Sequence, residues 1–460
     1  MAGRQKKRVL IIAYAFPPNG AVGSMRPLRF CRYLCKATDW EPTVLTVDWP
    51  GVRADESLLA SLPEQVRLVR TRTFEPYYHL HPIASSATRG HPPAGASDGK
   101  SATAEMAPAS GRLLQLMRDV RYWLEEPLMT PDPQVFWNLF MAPQAYKLIH
   151  RLKTDAILVT APPFSALWGA AVAGRLTGRP LIADFRDPWT DIVRGSLSPW
   201  RRQAERFLER WLCRTAAAVV SSSETYSQDF RRKYPDLPPE RFCTLHNGFD
   251  EEVLAQSIGI RPSPHGLTIV HLGSLYQKRE PEAFFVGAGR WLAANPAQRK
   301  NFRLVFVGQV DSRTRALLAA HGLSEVTEVT GHLSHAQALS RCRAADFLLL
   351  AMGSGPATPK GWLPSKVFEY LACDRPILAH TVEGEAARLI RRAGAGEPIT
   401  ADDPAAFADR LSDYCATKLA LGRAPEHANR TDVVAELTQT RLVAKLTAIL
   451  EGVVARESAA

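Results

Sequence analysis

A chain of 460 residues is too long for one ordinary core, so two domains are expected. Hydrophobic residues at 46% and charged residues at 22%, with no apolar run near the roughly 20 residues of a membrane span, describe a soluble globular protein. The net charge of +11 (57 basic against 46 acidic residues) favours phosphate-bearing partners, while the lack of zinc-finger spacing, RNP-like aromatics and a long basic tail argues against nucleic acid.

The N-terminal "MAGRQKKRVLIIAYAFPPNG" imitates a signal peptide, but its apolar run is short and enters a Pro-Gly loop with no small-residue cleavage site. It reads as a first strand. Further short Val/Ile/Leu runs follow at 43–47, 66–70, 156–160, 180–185 and 217–223, as expected of parallel strands buried on both faces. Stretches long enough for crossover helices lie between most of them, which predicts a doubly wound α/β sheet. Residues 83–111 are small, polar and rich in Pro and Gly, and read as a mobile surface loop. Residues 112–126 then show helical spacing.

"SIGIRPSPHG" (257–266) reads as a linker. A second alternating series has strand candidates at 267–273, 302–308, 326–331, 346–351 and 375–380. Two α/β domains are therefore expected, at 1–256 and 257–430, with an amphipathic helix over 433–454. Seven cysteines without a Cys-x-x-Cys pair argue against a disulfide framework or structural zinc, and fit a reducing cytoplasm.

Ligands of open α/β sheets bind at the carboxyl ends of strands, so the loops there hold the candidates. After the first strand, Gly20 and Gly23 precede a helix capped by Ser24 and could bring backbone N–H groups to an anion. The spacing matches neither the dinucleotide fingerprint nor a P-loop, and an ordinary glycine turn fits as well. After the fifth strand, "ADFRDPWTD" crowds Asp184, Arg186 and Asp187; these either form a site or a buried Asp–Arg pair that holds the loop. Beyond Gly273, Lys278 and Arg279 suit a diphosphate, or a solvated helix start. Lys366 and Glu369 share one helical turn, as an ion pair or a strand-end ligand site. In "SPWRRQAERFLERWLCR" (198–214), five arginines accompany Phe207, Leu208, Trp211 and Leu212, which suits an interfacial helix or, more simply, a crossover helix on its sheet.

The ordered pieces "FPPNGAVGSMR", "TAPPFS", "ADFRDPWTD", "VVSSSETYSQDF", "LHNGFD", "HLGSLYQKR", "VTGHLSHAQALSRCRAADFLLL" and "LPSKVFEYLACDRPIL" together resemble a GT-B glycosyltransferase of the family 4-like group, in a bacterial polysaccharide-associated branch. The resemblance covers nearly the whole chain. It implies two Rossmann-like doubly wound parallel-sheet domains facing a cleft, with the C-terminal helix (431–460) crossing back to the first domain. It also implies retaining transfer from a nucleotide-diphosphate sugar, of UDP or GDP type, to a hydroxyl acceptor, a lipid-linked one included.

Under that resemblance Glu369 corresponds to the glutamate that accepts hydrogen bonds from ribose hydroxyls, and Lys278 and Arg279 to the diphosphate-binding cations. Gly20 and Gly23 match the glycine loop beneath the phosphates, and Gly273, Ser365 and Lys366 complete the donor-binding set. Arg186 and Asp187 occupy the loop where many relatives carry a His, and the acceptor proton falls to Asp187, Asp184 or the departing phosphate. No Asp-x-Asp motif calls for a metal, and no other cofactor is expected. The first of two family glutamates is Gly361 here. That departure motivates an alternative, a non-catalytic nucleotide-sugar-binding or regulatory protein on a degenerate scaffold; a nucleotide-sugar epimerase fits the order of motifs less well. The expected location is the cytoplasm, with peripheral contact at the inner face of the membrane.

Overall fold

Because β-branched and leucine runs without polar alternation must be covered on both faces, the strands here can only sit inside a helix–sheet–helix sandwich. The computed structural model describes residues 6–48, 55–75, 127–191, 197–259, 262–263, 266–275, 280–353, 355 and 358–459. The loop expected at 83–111, the helix at 112–126 and the cations Lys278 and Arg279 lie outside the described residues.

The strands form two all-parallel sheets. The first contains β1 (Lys7–Ala13), β2 (Trp40–Val47), β3 (Arg67–Thr71), β4 (Ala156–Ala161), β5 (Leu181–Phe185), β6 (Ala218–Ser221) and β7 (Phe242–Thr244), in the order β3-β2-β1-β4-β5-β6-β7. The second contains β8 (Leu267–Leu272), β9 (Phe302–Val307), β10 (Thr327–Val329), β11 (Phe347–Ala351) and β12 (Ile377–His380), in the order β10-β9-β8-β11-β12. Register in the first sheet sets Ile11 opposite Val44 on one side and Leu158 on the other, all buried. Each strand coincides with a run read from the sequence except β7, whose Phe-Cys-Thr is too short to carry a pattern.

The chain divides into two units, residues 1–245 with 443–460, and residues 246–442. The principal helices of the first are α1 (Val22–Ala37), α2 (Asn138–Leu152), α3 (Ser165–Thr177), α4 (Pro199–Thr215) and α5 (Glu224–Lys233). Those of the second are α6 (Glu282–Ala294), α7 (Ser312–Ala320), α8 (His335–Arg343), α9 (Ser365–Cys373), α10 (Glu385–Arg392) and α11 (Pro404–Leu421). Helix α12 (Gln439–Ala459) starts in the second unit and continues into the first, where Lys7 Nζ lies 3.8 Å from Glu451 Oε1.

Small residues let α3 lie deep, between α2 and α4. A Cβ on Gly169 would come within 2.2 Å of Asn138 Oδ1, and Asn138 Nδ2 donates to Ser165 O at 3.0 Å. Phe164 stacks on the fully buried Trp189 at 5.2 Å between ring centroids. Strand order reverses between β1 and β4 in the first sheet and between β8 and β11 in the second, which marks one crevice in each sheet where a ligand can bind.

Candidate active site

In the second unit, β8 ends at Leu272 and the chain turns at Gly273, with φ +97°, a conformation suited to glycine. Gly308, at the end of β9, presses so close that a Cβ there would lie 2.6 Å from the carbonyl carbon of Gly273. The turn is therefore fixed by backbone against backbone. Helix α9 closes the other side of the switch point. Its Val367, Phe368, Tyr370 and Leu371 are buried, which anchors the helix and turns Lys366 and Glu369 toward the strand ends.

Two contacts lock this arrangement. Tyr370 Oη accepts the Leu272 N–H at 2.8 Å and donates to Leu349 O at 3.1 Å, tying α9 to β8 and β11. His271, fully buried, donates from Nδ1 to the same Leu349 carbonyl at 2.8 Å. That bond fixes the tautomer, leaving the Nε2 lone pair to accept from the Lys366 ammonium at 3.2 Å. Burial first, and then the charge of Lys366, hold the imidazole well below its ordinary pKa, so it stays neutral. Lys366 Nζ lies 3.4 Å from where a Cβ on Gly273 would stand. A fixed cation thus sits at the mouth of the second sheet.

Glu369, 8% exposed, accepts from His335 Nε2 at 2.9 Å. His335 opens α8, whose start is held by a capping box between Ser334 and Gln337. Ser365 is the first residue of α9. The segment containing Gly361 is pinned from α10: the Glu385 N–H bonds Lys360 O at 2.7 Å, and the Glu385 carboxylate receives His246 Nε2 at 3.3 Å. Sequence reasoning did not name His335, Tyr370, Glu385 or His246. A histidine just after a helix-capping serine is the signal that could have found the first of these.

In the first unit the expected loops are braced by two arginines. Arg26, from α1, grips both oxygens of Asp184 at 2.8 and 3.0 Å, and also donates to Leu245 O at 2.9 Å. Asp184 has no exposed surface. The buried Asp–Arg pair is real, but its arginine is Arg26 rather than Arg186. Arg186 instead spends its guanidinium on three carbonyls, Ala161 O at 3.1 Å, Pro162 O at 2.8 Å and Gly23 O at 2.8 Å. Burial lowers its pKa, and the charges of Asp187 and Asp184 oppose that.

Gly23 has a structural reason to be glycine, since a Cβ would stand 2.3 Å from Arg186 Nη1. Gly20 shows no such reason among the described residues; a Cβ there would meet Asp55 Cβ at 3.7 Å, an ordinary contact. Ser24 is not the cap of α1. The helix begins two residues earlier, its N-cap is Ala21, and Asn19 Oδ1 accepts the Ala21 N–H, which leaves Ser24 buried in the first turn. The remainder of "ADFRDPWTD" is also tethered, Trp189 Nε1 to Glu205 at 3.2 Å and Asp191 to Lys233 at 3.0 Å. Asp187 lies half-buried between these anchors.

The structure therefore groups Gly273, Ser365, Lys366 and Glu369 at the β8–β11 mouth, and Gly23, Arg186 and Asp187 at the ends of β1, β4 and β5. Among the described residues, no group of three or more His, Cys, Asp or Glu could hold a metal ion, and no helix is long and apolar enough to cross a membrane.

Two Rossmann-like parallel sheets, each carrying its candidate residues at the strand-order reversal, define the GT-B architecture. Residues 96–253 match the model of Glycosyltransferase Family 4, and residues 266–416 that of Glycosyl transferases group 1. The chain belongs to the GT-B glycosyltransferases of the family 4-like group. No curated protein matches it. Among solved structures it is similar to HepE of Anabaena, determined with UDP and glucose, at 14% identity and TM-score 0.55, covering 99% of this chain and 100% of that one. Sucrose-phosphate synthase of Thermosynechococcus elongatus gives 12% identity and TM-score 0.59, covering 98% and 100%. The α,α-trehalose 6-phosphate synthase of Burkholderia multivorans gives 14% and 0.62, covering 98% and 99%. At these identities the likeness carries the fold.

Proposed function

We propose that the protein transfers a sugar, a hexose or a close relative, from a UDP- or GDP-type nucleotide-diphosphate sugar to a hydroxyl acceptor, with retention at the anomeric carbon. The observation that carries this reading is the Lys366 ammonium, held by neutral His271 beside Gly273 at the mouth of the second sheet. Departure of a nucleotide diphosphate builds charge on the leaving phosphate, and a preorganised cation there lowers the barrier most. Lys278 and Arg279 join Lys366 on the diphosphate. Glu369, oriented by His335, takes the ribose hydroxyls. No metal is required in this scheme.

On the acceptor side, Asp184 and Arg186 hold the loop through Arg26 and three carbonyls. Asp187, or the departing phosphate itself, takes the acceptor proton. The acceptor is a hydroxyl of a polysaccharide, glycolipid or secondary-metabolite intermediate, and a lipid-linked one would place the enzyme at the inner face of the membrane. UDP, bound by HepE, is the first nucleotide to test.

Thermal-shift screening of nucleotides and nucleotide sugars tests the donor. A ligand at about 100 times its Kd should add about 2.7 kcal/mol of stability. Turnover of the best-binding donor with an extract of lipid-linked saccharides then separates the enzyme from the alternative favoured by Gly361, a binding protein on a degenerate scaffold. Tight binding without turnover of any donor sinks the transferase reading.

A further inference from the structure

Sequence leaves two readings of α4 open, and the structure divides the helix between them. Leu208 and Trp211 pack against the core of the first unit and Leu212 is fully buried, so most of the expected stripe faces the sheet. Phe207 does not. It is 69% exposed, and Trp200, two turns earlier on the same side, is 44% exposed. Arg202, Arg206, Arg210 and Arg214 follow at four-residue spacing, all exposed. Both glutamates of α4 turn inward: Glu205 and Glu209 are 2% and 0% exposed, held by Arg201 and by Tyr234.

The same segregation continues on the neighbouring helices. No Asp or Glu occurs in 138–152 or 165–177, the spans of α2 and α3. Yet Leu139 on α2 is 66% exposed and Leu176 on α3, next to the exposed Arg175, is 68% exposed, while Lys147 and Arg151 further along α2 are exposed as well. Three adjacent helices therefore present arginine, lysine and large apolar side chains with no exposed carboxylate of their own. Solvated faces ordinarily mix both signs. Asp236 draws in Arg210 and Arg214, at 3.0 and 2.8 Å, while Arg202 and Arg206 form no ion pair among the described residues.

We propose that this outward face of α2, α3 and α4 docks on an anionic lipid bilayer. Arginines meet the headgroup phosphates, and Trp200 and Phe207 enter the boundary with the acyl chains. A nucleic acid would satisfy the cations but leave Phe207, Leu139 and Leu176 in water; a neutral apolar protein would cover those and desolvate the arginines. The proposal deepens the lipid-linked-acceptor reading, and vesicle binding needs neither donor nor acceptor, so the two fail separately.

The test is co-sedimentation of the full chain with phosphatidylcholine vesicles, with and without a third of phosphatidylglycerol, at low and high salt. Pelleting is expected with the anionic vesicles, weakening with salt. Arg202→Gln with Arg206→Gln should lower partitioning about thirtyfold, from about 1 kcal/mol per cation at an anionic surface. Trp200→Ser with Phe207→Ser should lower it at high salt too, and both variants should melt at the wild-type temperature because all four side chains are exposed. Equal pelleting with and without phosphatidylglycerol, or unchanged binding by both variants, overturns the proposal. Retention of duplex RNA without vesicle binding, or a dimer dissolved by Phe207→Ser, reassigns the face and overturns it equally.

Discussion

At the scale of single residues, Lys366 owes its direction to a histidine that carries no charge. With Nδ1 bound to Leu349 O, His271 can only accept at Nε2, and that bond aims the ammonium. Lys366→Met is expected to lower kcat by about 10²–10³, the loss seen on removing one preorganised group from a developing charge. His271→Leu should lower kcat in the same direction while leaving acceptor KM unchanged, which steady-state kinetics reads directly. Glu75 supplies a second residue-scale prediction. Burial, first, and the charge of Asp132 raise its pKa from 4.5 to about 7 against hydrogen bonds from Tyr14 and Thr73. The folded protein keeps this proton where the unfolded chain has released it. Its stabilising contribution is full below pH 4.5 and is lost as pH rises through about 7. Glu75→Gln, unable to ionise, should lose less melting temperature over that window than the wild type.

At the scale of elements, the loops after β1, β4 and β5 are one braced assembly. Removing one partner of a buried ion pair leaves the other charge stranded, so Arg26→Ala should cost about 3–5 kcal/mol in chemical denaturation. Gly23→Ala must displace an Arg186 side chain already committed to three carbonyls, and is expected to lower both melting temperature and turnover. Strands with several consecutive Val, Ile or Leu were legible because double burial leaves its mark in every residue, as in β1 and β11. Strand β7 and the start of α1 were not, since one is three residues long and the other starts at an alanine with no capping side chain to mark it. Asp184 and Arg186 were visible as a charged cluster at a strand end. Their partners were not, because Arg26 is 158 residues from Asp184 and spacing records only neighbours. Lys366 and Glu369 looked like a pair by helical spacing, yet tertiary packing brings His271 to one and His335 to the other.

At the scale of the whole molecule, the two crossings between units set what truncation can remove. Val443, Leu446, Leu450 and Val453 of α12 are at most 1% exposed and group with the first unit. Losing four such side chains costs roughly 6–12 kcal/mol at about 1.5–3 kcal/mol each, comparable with the entire stability of a domain. A chain ending at Leu442 should therefore expose the first unit to protease while leaving the second resistant. Survival of both units on the gel would show that α12 is dispensable.

The same double crossing orders events during synthesis. The second unit, 246–442, is one uninterrupted stretch and is complete when its last residue clears the ribosome. The first unit begins earlier but lacks 443–460, with its four buried side chains, until after the second has been made. The later-made unit can thus fold before the earlier one, reversing the usual N-to-C sequence of domain folding. Throughout translation of the second unit, the apolar bed of α12 on the first is open to chaperones.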